Sequence, residues 1–438
     1  MLRAGVGKVE ITAPIGARMA GFANKAFPAI AVHDPLWARA LVFDDGERRI
    51  GMVACDLIGV SEEQVAAVRR EAASAAGLSS EALLVAGTHT HSGPARHGDD
   101  STDLERAYWE SVPGKVAEAV AAASANLTPV KLGAASGWSA VGMNRRQFLP
   151  RGQMVMGPGE FGVFDTELAV VRIERAEGGP LACLFNYACH AVCLMSDNYL
   201  ISADYPGFAR HHFEREIGDG VTAIFFNGCC GDINPREISR GPGDLPGCLL
   251  TASHSGVRIA GEAVRVWRKV IPSEGGALAY ARRRISLPVN PERAIRAAEA
   301  HLRDNERRAE HEAQEELTPY TVSWYPPNVE GARKHLARVK ETAHLPIECE
   351  IQALQVGELT FVGWPGEIFC ELGMELKQRS PFRPTYVFSN ANGSIGYVPT
   401  PEAFSQGGYE AEMAAGKTDH AGTVLVEETL ALLEALKR

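Results

Sequence analysis

One local pattern recurs along this chain: a short apolar run is followed at once by a loop rich in Gly, Pro, Asn or Asp. Residues 82–86, 221–226, 359–362 and 385–388 all end in this way. Apolar runs of this length are typical of buried β-strands. In an open α/β sheet, ligands bind at the edge where such strands end. The pattern therefore predicts an α/β protein with a mixed β-sheet, helices on the faces of that sheet, and a site at the strand ends.

Cap residues predict where the helices between these strands begin and end. Ser61 and Gln64 form a capping box at the start of a helix, and Gly77 is suited to end it. A second helix is expected over residues 103–125. Pro113 inside that stretch predicts a kink or a break, because proline lacks the backbone N–H that a helix uses.

The segment at about 290–345 differs from the rest because it is highly charged, with apolar residues near helical spacing. It predicts a helical hairpin inserted into the main domain, with an aromatic turn around Trp324 and Tyr325. A lid over the functional site and an ordinary solvated helix pair are the two interpretations. Without internal repeats or a low-complexity linker, we expect a single domain over residues 1–438.

Charge and composition exclude several classes of protein. The 44 basic and 54 acidic residues give a net charge of −10, which argues against a nucleic-acid partner. The sequence has no run of eighteen apolar residues, so we expect no membrane span. The N-terminal residues also lack the apolar segment of a secretory signal. Nine cysteines, an odd number, indicate a reduced, cytoplasmic protein. The oligomeric state stays open, with a homo-oligomer among the choices.

Two histidines, His89 and His91, follow the first of these strands within the sequence GTHTHSGP. Residues i and i+2 of an extended segment point to one side, so both imidazoles can serve one site. Convergent neutral imidazoles suit a metal ion. Loop histidines that only bond backbone carbonyls are the alternative, but the position at a strand end favours a functional pair.

Further candidates follow the other apolar runs. His190 has Cys189 and Cys193 nearby, which could donate thiolates to zinc, although apolar surroundings favour buried core cysteines. Glu367 is either a metal ligand or a carboxylate stabilised at a helix start. Asp232 lies in a glycine-rich loop, where it either approaches a ligand or shapes an Asx turn. The sequence contains no GxSxG, GxxxxGK[ST] or HExxH motif.

Taken together, these loops resemble the neutral/alkaline (non-lysosomal) ceramidase family, in its N-terminal catalytic domain. In chain order the shared motifs are VGKVEIT, HDPL, THTHSGP, MNR, ISADYPG, GDINP, PGE and GYVPTPEAFSQGGYE. They cover most of the chain, and their order is far more specific than any one of them alone.

The resemblance implies a zinc hydrolase and a set of site residues. In the family a single Zn²⁺ is held by two histidines, a glutamate and a tyrosine, which correspond here to His89, His190, Glu367 and Tyr397. His91 would act on the substrate or on the attacking water. Arg145 and Tyr409 would polarise the carbonyl oxygen of the substrate.

Departures from the family pattern bear on the mechanism and the substrate. Asn234 replaces the serine of the family motif GDxSPN, and a carboxamide cannot act as an acyl-enzyme nucleophile. Metal-activated water is then expected to attack, with Asn234 orienting the substrate or the water. Because the sequence ends at Arg438, we expect the C-terminal immunoglobulin-like domain of the family to be missing. The substrate is expected to be a small soluble amide or N-acyl compound rather than membrane ceramide.

Three functional hypotheses follow. The first is a zinc-dependent amidohydrolase that cleaves a carboxamide (C–N) bond in a small-molecule substrate. The second is a metal-dependent ester, lactone or phosphoester hydrolase, because the same ligand set does not discriminate between these bonds. The third is a non-catalytic, metal-containing binding protein, for which the exchange of serine for Asn234 is the main support.

Overall fold

The chain is described here by a computed structural model that covers residues 1–22, 25, 27–96, 98, 101–150, 152–218, 220–237, 244–312 and 329–437. In these ranges the strands are β1 Arg3–Glu10, β2 Ala31–Val32, β3 Trp37–Asp44, β4 Arg49–Cys55, β5 Leu83–Gly87, β6 Thr128–Trp138, β7 Gly142–Asn144, β8 Arg146–Phe148, β9 Met154–Met156, β10 Glu167–Arg175, β11 Pro180–Tyr187, β12 Leu200–Ile201, β13 Thr222–Asn227, β14 Ile233–Pro235, β15 Leu278–Leu287, β16 Ile347–Val356, β17 Leu359–Gly363, β18 Glu367–Ile368, β19 Thr385–Phe388 and β20 Tyr397–Val398. The helices are α1 Glu62–Ala76, α2 Asp103–Ala125, α3 Asp204–Ile217, α4 Leu245–Trp267, α5 Pro291–Glu312, α6 Val329–Thr342, α7 Cys370–Arg379, α8 Pro401–Gln406, α9 Tyr409–Met413 and α10 Ala421–Lys437, with a single 3-10 turn at Ser80–Ala82.

Two large sheets form the centre of the fold. The first has eight strands in the order β13-β11-β10-β6-β1-β3-β4-β5, and the second has four in the order β15-β16-β17-β19. Most neighbours are antiparallel, but β11 with β13, β4 with β5, and β17 with β19 are parallel. The predicted mixed sheet with helices on its faces is therefore confirmed.

The two sheets pack face to face, and helices cover their outer faces. On β3, Leu41 and Phe43 face the second sheet, where they join a core that includes Phe361 and Phe388. The alternate residues of β3, such as Val42, face α1 and α2. Helices α3 and α4 cover the same side further along, and α7 and α10 cover the second sheet. Because strands of the eight-stranded sheet are buried on both faces, they read as continuous apolar runs.

The predicted ends of α1 are confirmed. Of the two outcomes predicted for Pro113, a kink or a break in α2, the break is wrong. The Ser61 hydroxyl accepts the Gln64 N–H, and Gly77 ends the helix with a left-handed φ of 64°. Helix α2 runs from residue 103 to 125 through Pro113 without splitting. Proline removes one helical hydrogen bond. Packing of the buried helix face offsets that loss. It includes a hydrogen bond from the Tyr108 hydroxyl to the Ile11 carbonyl just after β1.

The predicted helical insertion corresponds to α5 and α6. They connect β15 to β16, which pair antiparallel from Leu287 opposite Ile347, and they are joined by ion pairs such as Arg333–Glu306 (3.0 Å). The aromatic turn around Trp324 lies outside the described residues. The lid and the single-domain organisation both stay predictions.

The two edges of the eight-stranded sheet approach each other at the strand ends. The Asn227 side chain at the end of β13 donates to the Thr88 carbonyl after β5 (3.3 Å). The Gly87 N–H donates to the carbonyl of Asn390 after β19 (3.0 Å). Loops that follow five different strands, namely β5, β11, β13, β17 and β19, therefore meet in one place. Among the helices of the described ranges, none combines the length and the apolar composition needed to cross a membrane.

Candidate metal centre

The candidate site lies where these loops meet, and it brings together the eight residues that the family comparison in the sequence analysis named. His89 and His91 follow β5, and His190 follows β11. Arg145 lies between β7 and β8, and Asn234 lies on β14. Glu367, Tyr397 and Tyr409 begin β18, β20 and α9 respectively.

The two histidines after β5 converge, but not for the predicted reason. His89 does not continue the strand, because its φ is +68°, in the left-handed region that side chains other than glycine rarely adopt. The prediction of an extended His89–His91 segment is therefore wrong. The turn nevertheless brings the Nε2 atoms of the two rings to 3.3 Å from each other.

Backbone carbonyls fix the orientation of two of the imidazoles. Nδ1 of His89 donates to the Ile58 carbonyl (2.6 Å), and Nδ1 of His190 donates to the Cys230 carbonyl (2.6 Å). A carbonyl only accepts, so each Nδ1 carries a proton, and in the neutral form of each ring the lone pair is on Nε2. This outer hydrogen bond is the usual way in which a protein orients a metal-binding histidine.

The Glu367 carboxylate faces both of these Nε2 atoms. Its Oε2 lies 3.4 Å from Nε2 of His89 and 3.1 Å from Nε2 of His190. Burial alone would raise the pKa of Glu367, but the two imidazoles hold it well below its ordinary value. Burial, and next the Arg145 guanidinium, lower the pKa of His190 to about 4. Near pH 7 the site therefore contains a carboxylate and a neutral His190, the forms that bind metals.

Tyr397 is brought to Glu367 by a short parallel strand pair. Glu367 on β18 lies directly opposite Tyr397 on β20 in this pair. Burial and the neighbouring carboxylate hold the pKa of Tyr397 well above its ordinary value. The ring of Tyr409 lies 5.7 Å from the ring of Tyr397, but Tyr409 is 44% exposed whereas Tyr397 is buried.

His91 is enclosed by the N-terminal segment. Its ring meets the Phe22 ring edge to face at 5.1 Å, and its Nδ1 has no hydrogen-bond partner among the described residues. Gly21 has a φ of +97°, and a Cβ there would lie 2.3 Å from the imidazole, so only glycine fits. Burial, with His89 and His190 acting in the same direction, holds the pKa of His91 well below its ordinary value. His91 is therefore neutral near pH 7.

Arg145 is held by a carboxylate that the sequence analysis missed. Its Nε donates to Glu410 (2.8 Å), whose other oxygen accepts from Arg146 (2.9 Å). The remaining guanidinium nitrogens donate to the Tyr397 hydroxyl (3.1 Å) and to the Asn234 side-chain oxygen (3.2 Å). Glu410 is buried and so fixes a positive charge at the site. Nothing in the sequence separates Glu410 from the other acidic residues of its loop.

A cysteine is also part of the site, but not one of the two considered from the sequence. Sγ of Cys189 contacts the His190 carbonyl (3.6 Å). Sγ of Cys193 contacts a serine hydroxyl of α4 (3.9 Å). Sγ of Cys230 instead lies within 4.8 Å of a ring nitrogen of both His89 and His190. The signal that could have indicated Cys230 is the one used for His89, namely a position just after a buried strand.

The donor set fits a divalent metal ion. Two imidazoles with protonated Nδ1 atoms turn their Nε2 atoms toward one carboxylate, and all three side chains are largely buried. Nε2 of His190 also lies 3.3 Å from a guanidinium nitrogen of Arg145. A metal ion between these three side chains would be bound by both imidazoles and the carboxylate together. Nitrogen and carboxylate oxygen donors of this kind suit Zn²⁺.

Comparison with known proteins relates this chain to ceramidases. A model of the family described as neutral/alkaline non-lysosomal ceramidase, N-terminal, matches residues 2–241. The chain is 27% identical over 262 residues to neutral ceramidase B of Dictyostelium discoideum, covering 54% of this chain and 36% of that protein. It is 26% identical over 259 residues to neutral ceramidase of Pseudomonas aeruginosa, covering 56% and 38%. The match thus spans little more than a third of each relative.

Solved ceramidase structures have the same fold over almost the whole chain. A structure of ceramidase complexed with C2 has a TM-score of 0.76 and 19% identity, and covers 100% of this chain and 75% of that one. Neutral ceramidase from Pseudomonas aeruginosa has a TM-score of 0.73 and 20% identity, covering 99% and 75%. At these identities the likeness concerns the fold alone.

Proposed function

Because this chain belongs to the neutral/alkaline non-lysosomal ceramidase family, we propose that it is a metal-dependent hydrolase that cleaves a carboxamide (C–N) bond. The observation that carries the proposal is the convergence of His89 and His190 on the Glu367 carboxylate, with both Nδ1 protons bound by carbonyls. Zn²⁺ is the metal we propose, because this donor set suits it.

His89, His190 and Glu367 would hold the metal, with Tyr397 as the fourth ligand that the family resemblance implies. When bound, zinc supplies Lewis acidity and lowers the pKa of water to about 7. The chain itself supplies the orientation of the ligands, since the carbonyls of Ile58 and Cys230 fix the imidazoles before any metal binds.

His91 would move the proton. Its imidazole is neutral near pH 7 because burial lowers its pKa, so its unprotonated ring nitrogen would accept a proton from the nucleophile. The same imidazole would then give the proton to the leaving amine nitrogen.

Arg145 and Tyr409 would stabilise the negative charge that develops on the carbonyl oxygen. Glu410 fixes the Arg145 guanidinium, which needs no reorganisation during the reaction. Loss of one such donor costs about 3 kcal/mol of barrier. Asn234, bound to Arg145, would orient the substrate, since a carboxamide is not a nucleophile.

The substrate that we propose first is an N-acyl amide of the ceramide class. The named relatives are neutral ceramidases, and the segment that carries Phe22 against His91 also exposes Phe27 (64%) and Ile30 (63%). Exposed apolar side chains on the segment that follows Phe22 can contact an acyl chain. The small soluble amide expected from the sequence is the alternative. A cytoplasmic location and a homo-oligomer stay predictions.

The test combines metal content with a substrate panel. Elemental mass spectrometry should find about one zinc per wild-type chain and almost none in His190→Ala. The zinc-loaded wild type should hydrolyse a ceramide or a short N-acyl amide, and the matched ester of the same acyl group tests the ester alternative. A folded wild type that holds no metal after re-addition, or a zinc-loaded protein inert on the whole panel, would sink the proposal and favour the binding-protein hypothesis.

A further inference from the structure

We propose that the Sγ atom of Cys230 is a direct ligand of the metal, so that this centre is held by sulfur as well as by nitrogen and oxygen. This role for Cys230 rests on the proposed function. Its basis is spacing: Sγ and one ring nitrogen each of His89 and His190 lie within 4.8 Å of one another. Zinc bonds of about 2.0–2.3 Å put two ligands of one ion at most about 4.4 Å apart. The three donors therefore have nearly the spacing of a ligand set.

The position of Cys230 within the site is fixed by its backbone as well as by its side chain. Its carbonyl accepts the Nδ1 proton of His190 at 2.6 Å, so the residue that presents the sulfur also orients one of the imidazoles. The residue is fully buried. Burial, and next the nearby Glu367 carboxylate, raise the pKa of its thiol. Because a carboxylate and two imidazoles lie near this sulfur, its surroundings suit a bound cation better than an apolar core.

The adjacent cysteine shows that this placement is specific. Cys229 is also buried, at 4% exposure, but its Sγ packs against α7, where a Cβ added to Gly373 would lie only 2.7 Å away. It belongs to the apolar core between α7 and the second sheet. Two neighbouring residues of one type thus face different surroundings, which makes Cys229 a matched control for Cys230.

Binding of the thiol changes the chemistry of the centre in a defined way. As the metal–sulfur bond forms, the S–H bond breaks and its proton passes to the buffer. A soft thiolate favours zinc over magnesium or manganese, which prefer oxygen ligands. Zinc can expand to five ligands, so the sulfur does not require Tyr397 to leave.

X-ray absorption at the zinc edge tests this assignment without an activity measurement. The wild type and Cys229→Ser should each show a sulfur shell at about 2.3 Å next to nitrogen and oxygen at about 2.0–2.2 Å. Cys230→Ser should lose the sulfur shell, and its zinc affinity should fall at least about tenfold, the lower bound for loss of a supporting residue. Cys230→Ala repeats the test if the serine variant does not fold.

The outcomes separate the two proposals. A catalytically active, zinc-loaded wild type with only nitrogen and oxygen around the metal overturns the sulfur ligand and leaves the hydrolase intact. A sulfur shell that persists in Cys230→Ser also overturns it. A wild type that binds no zinc overturns both the proposed function and the sulfur ligand. A wild type that binds zinc but hydrolyses none of the substrates overturns the proposed function only. A sulfur shell that is lost only with Cys230 supports the assignment.

Discussion

The two parts of the chain on either side of α4 contribute different chemistry to the site. The first part, which the family model matches over residues 2–241, supplies nitrogen and sulfur donors and a positive charge. Its residues are His89, His91, Arg145, His190, Cys230 and Asn234. The second part supplies carboxylates and phenols, namely Glu367, Tyr397, Tyr409 and Glu410. Neither part contains all of these site residues.

The two parts also differ in how far each can organise its own share of the site. The carbonyls that orient His89 and His190 belong to the first part itself. The carboxylate side depends on contacts between the parts, such as the Cys370 N–H with Asp232 (2.9 Å) and the Gly231 N–H with the Ile368 carbonyl (2.8 Å). The imidazoles are therefore arranged locally, whereas Glu367 reaches them only when the second sheet packs on the first.

Removing the carboxylate should break the centre most strongly. We expect Glu367→Ala to keep the fold of the first part but to lose zinc. We expect kcat/KM to fall by more than about 100-fold, because removing a metal ligand lowers activity more than removing a residue that only supports a ligand. Metal analysis and kinetics measure both effects. The exposed Glu371→Ala is the control on the neighbouring helix. If Glu367→Ala keeps both zinc and activity, Glu367 is not a ligand.

A smaller effect is expected when the second part loses its hold on Arg145. In Glu410→Gln the buried guanidinium loses its counter-charge, which costs about 3–5 kcal/mol of folding free energy. The misaligned donor should lower kcat by roughly 100-fold while zinc content is retained. Glu412→Gln, which changes an exposed residue of the same helix, should alter neither quantity. Loss of zinc from the folded Glu410→Gln variant would show that Glu410 supports the metal instead.

The smallest effect concerns the free energy of unfolding and comes from a buried lysine of the second part. Burial lowers the pKa of Lys417 from 10.5 to about 8. Between pH 8 and 10.5 the unfolded chain then binds more protons than the folded chain, so the free energy of unfolding rises with pH. At about 1.4 kcal/mol per pKa unit, the rise is at most about 3.5 kcal/mol.

Denaturant unfolding of wild type and Lys417→Met across this pH range measures the difference, because other titrating groups cancel. The variant should lack the rise. Lys334→Met, at an exposed position of α6, should keep it. Equal slopes in wild type and Lys417→Met would contradict the lowered pKa.

Much of the local structure could be predicted from the sequence, because short-range interactions decide it. The capping box of Ser61 and Gln64 and the helix end at Gly77 depend on neighbours within a few residues. Apolar runs such as β5 and β13 predicted strands, and the positions of His89 and Glu367 just after strands indicated the site. The roles of Tyr397 and Tyr409 came only from the family resemblance, since nothing local distinguishes them.

Other features depend on contacts between distant segments. Pro113 was expected to kink or break α2, but the helix packs on the sheet and does not break. His89 converges with His91 through a left-handed turn, which a strand pattern does not predict. Cys230, and not Cys189 or Cys193, faces the imidazoles because of how the loop after β13 meets the loop after β5.

The sequence by itself determined the strand ends, the helix caps and the types of donor that this protein has available. Only the tertiary structure decided which donors meet, because His89, His190 and Glu367 are separated by about a hundred residues or more in the chain. Their distances depend on the approach of the two sheet edges and on the packing of the second sheet. Hydrogen bonds within a turn are encoded within a few residues. The buried apolar contacts that bring the sheets together involve many residues at once, and no single segment contains them.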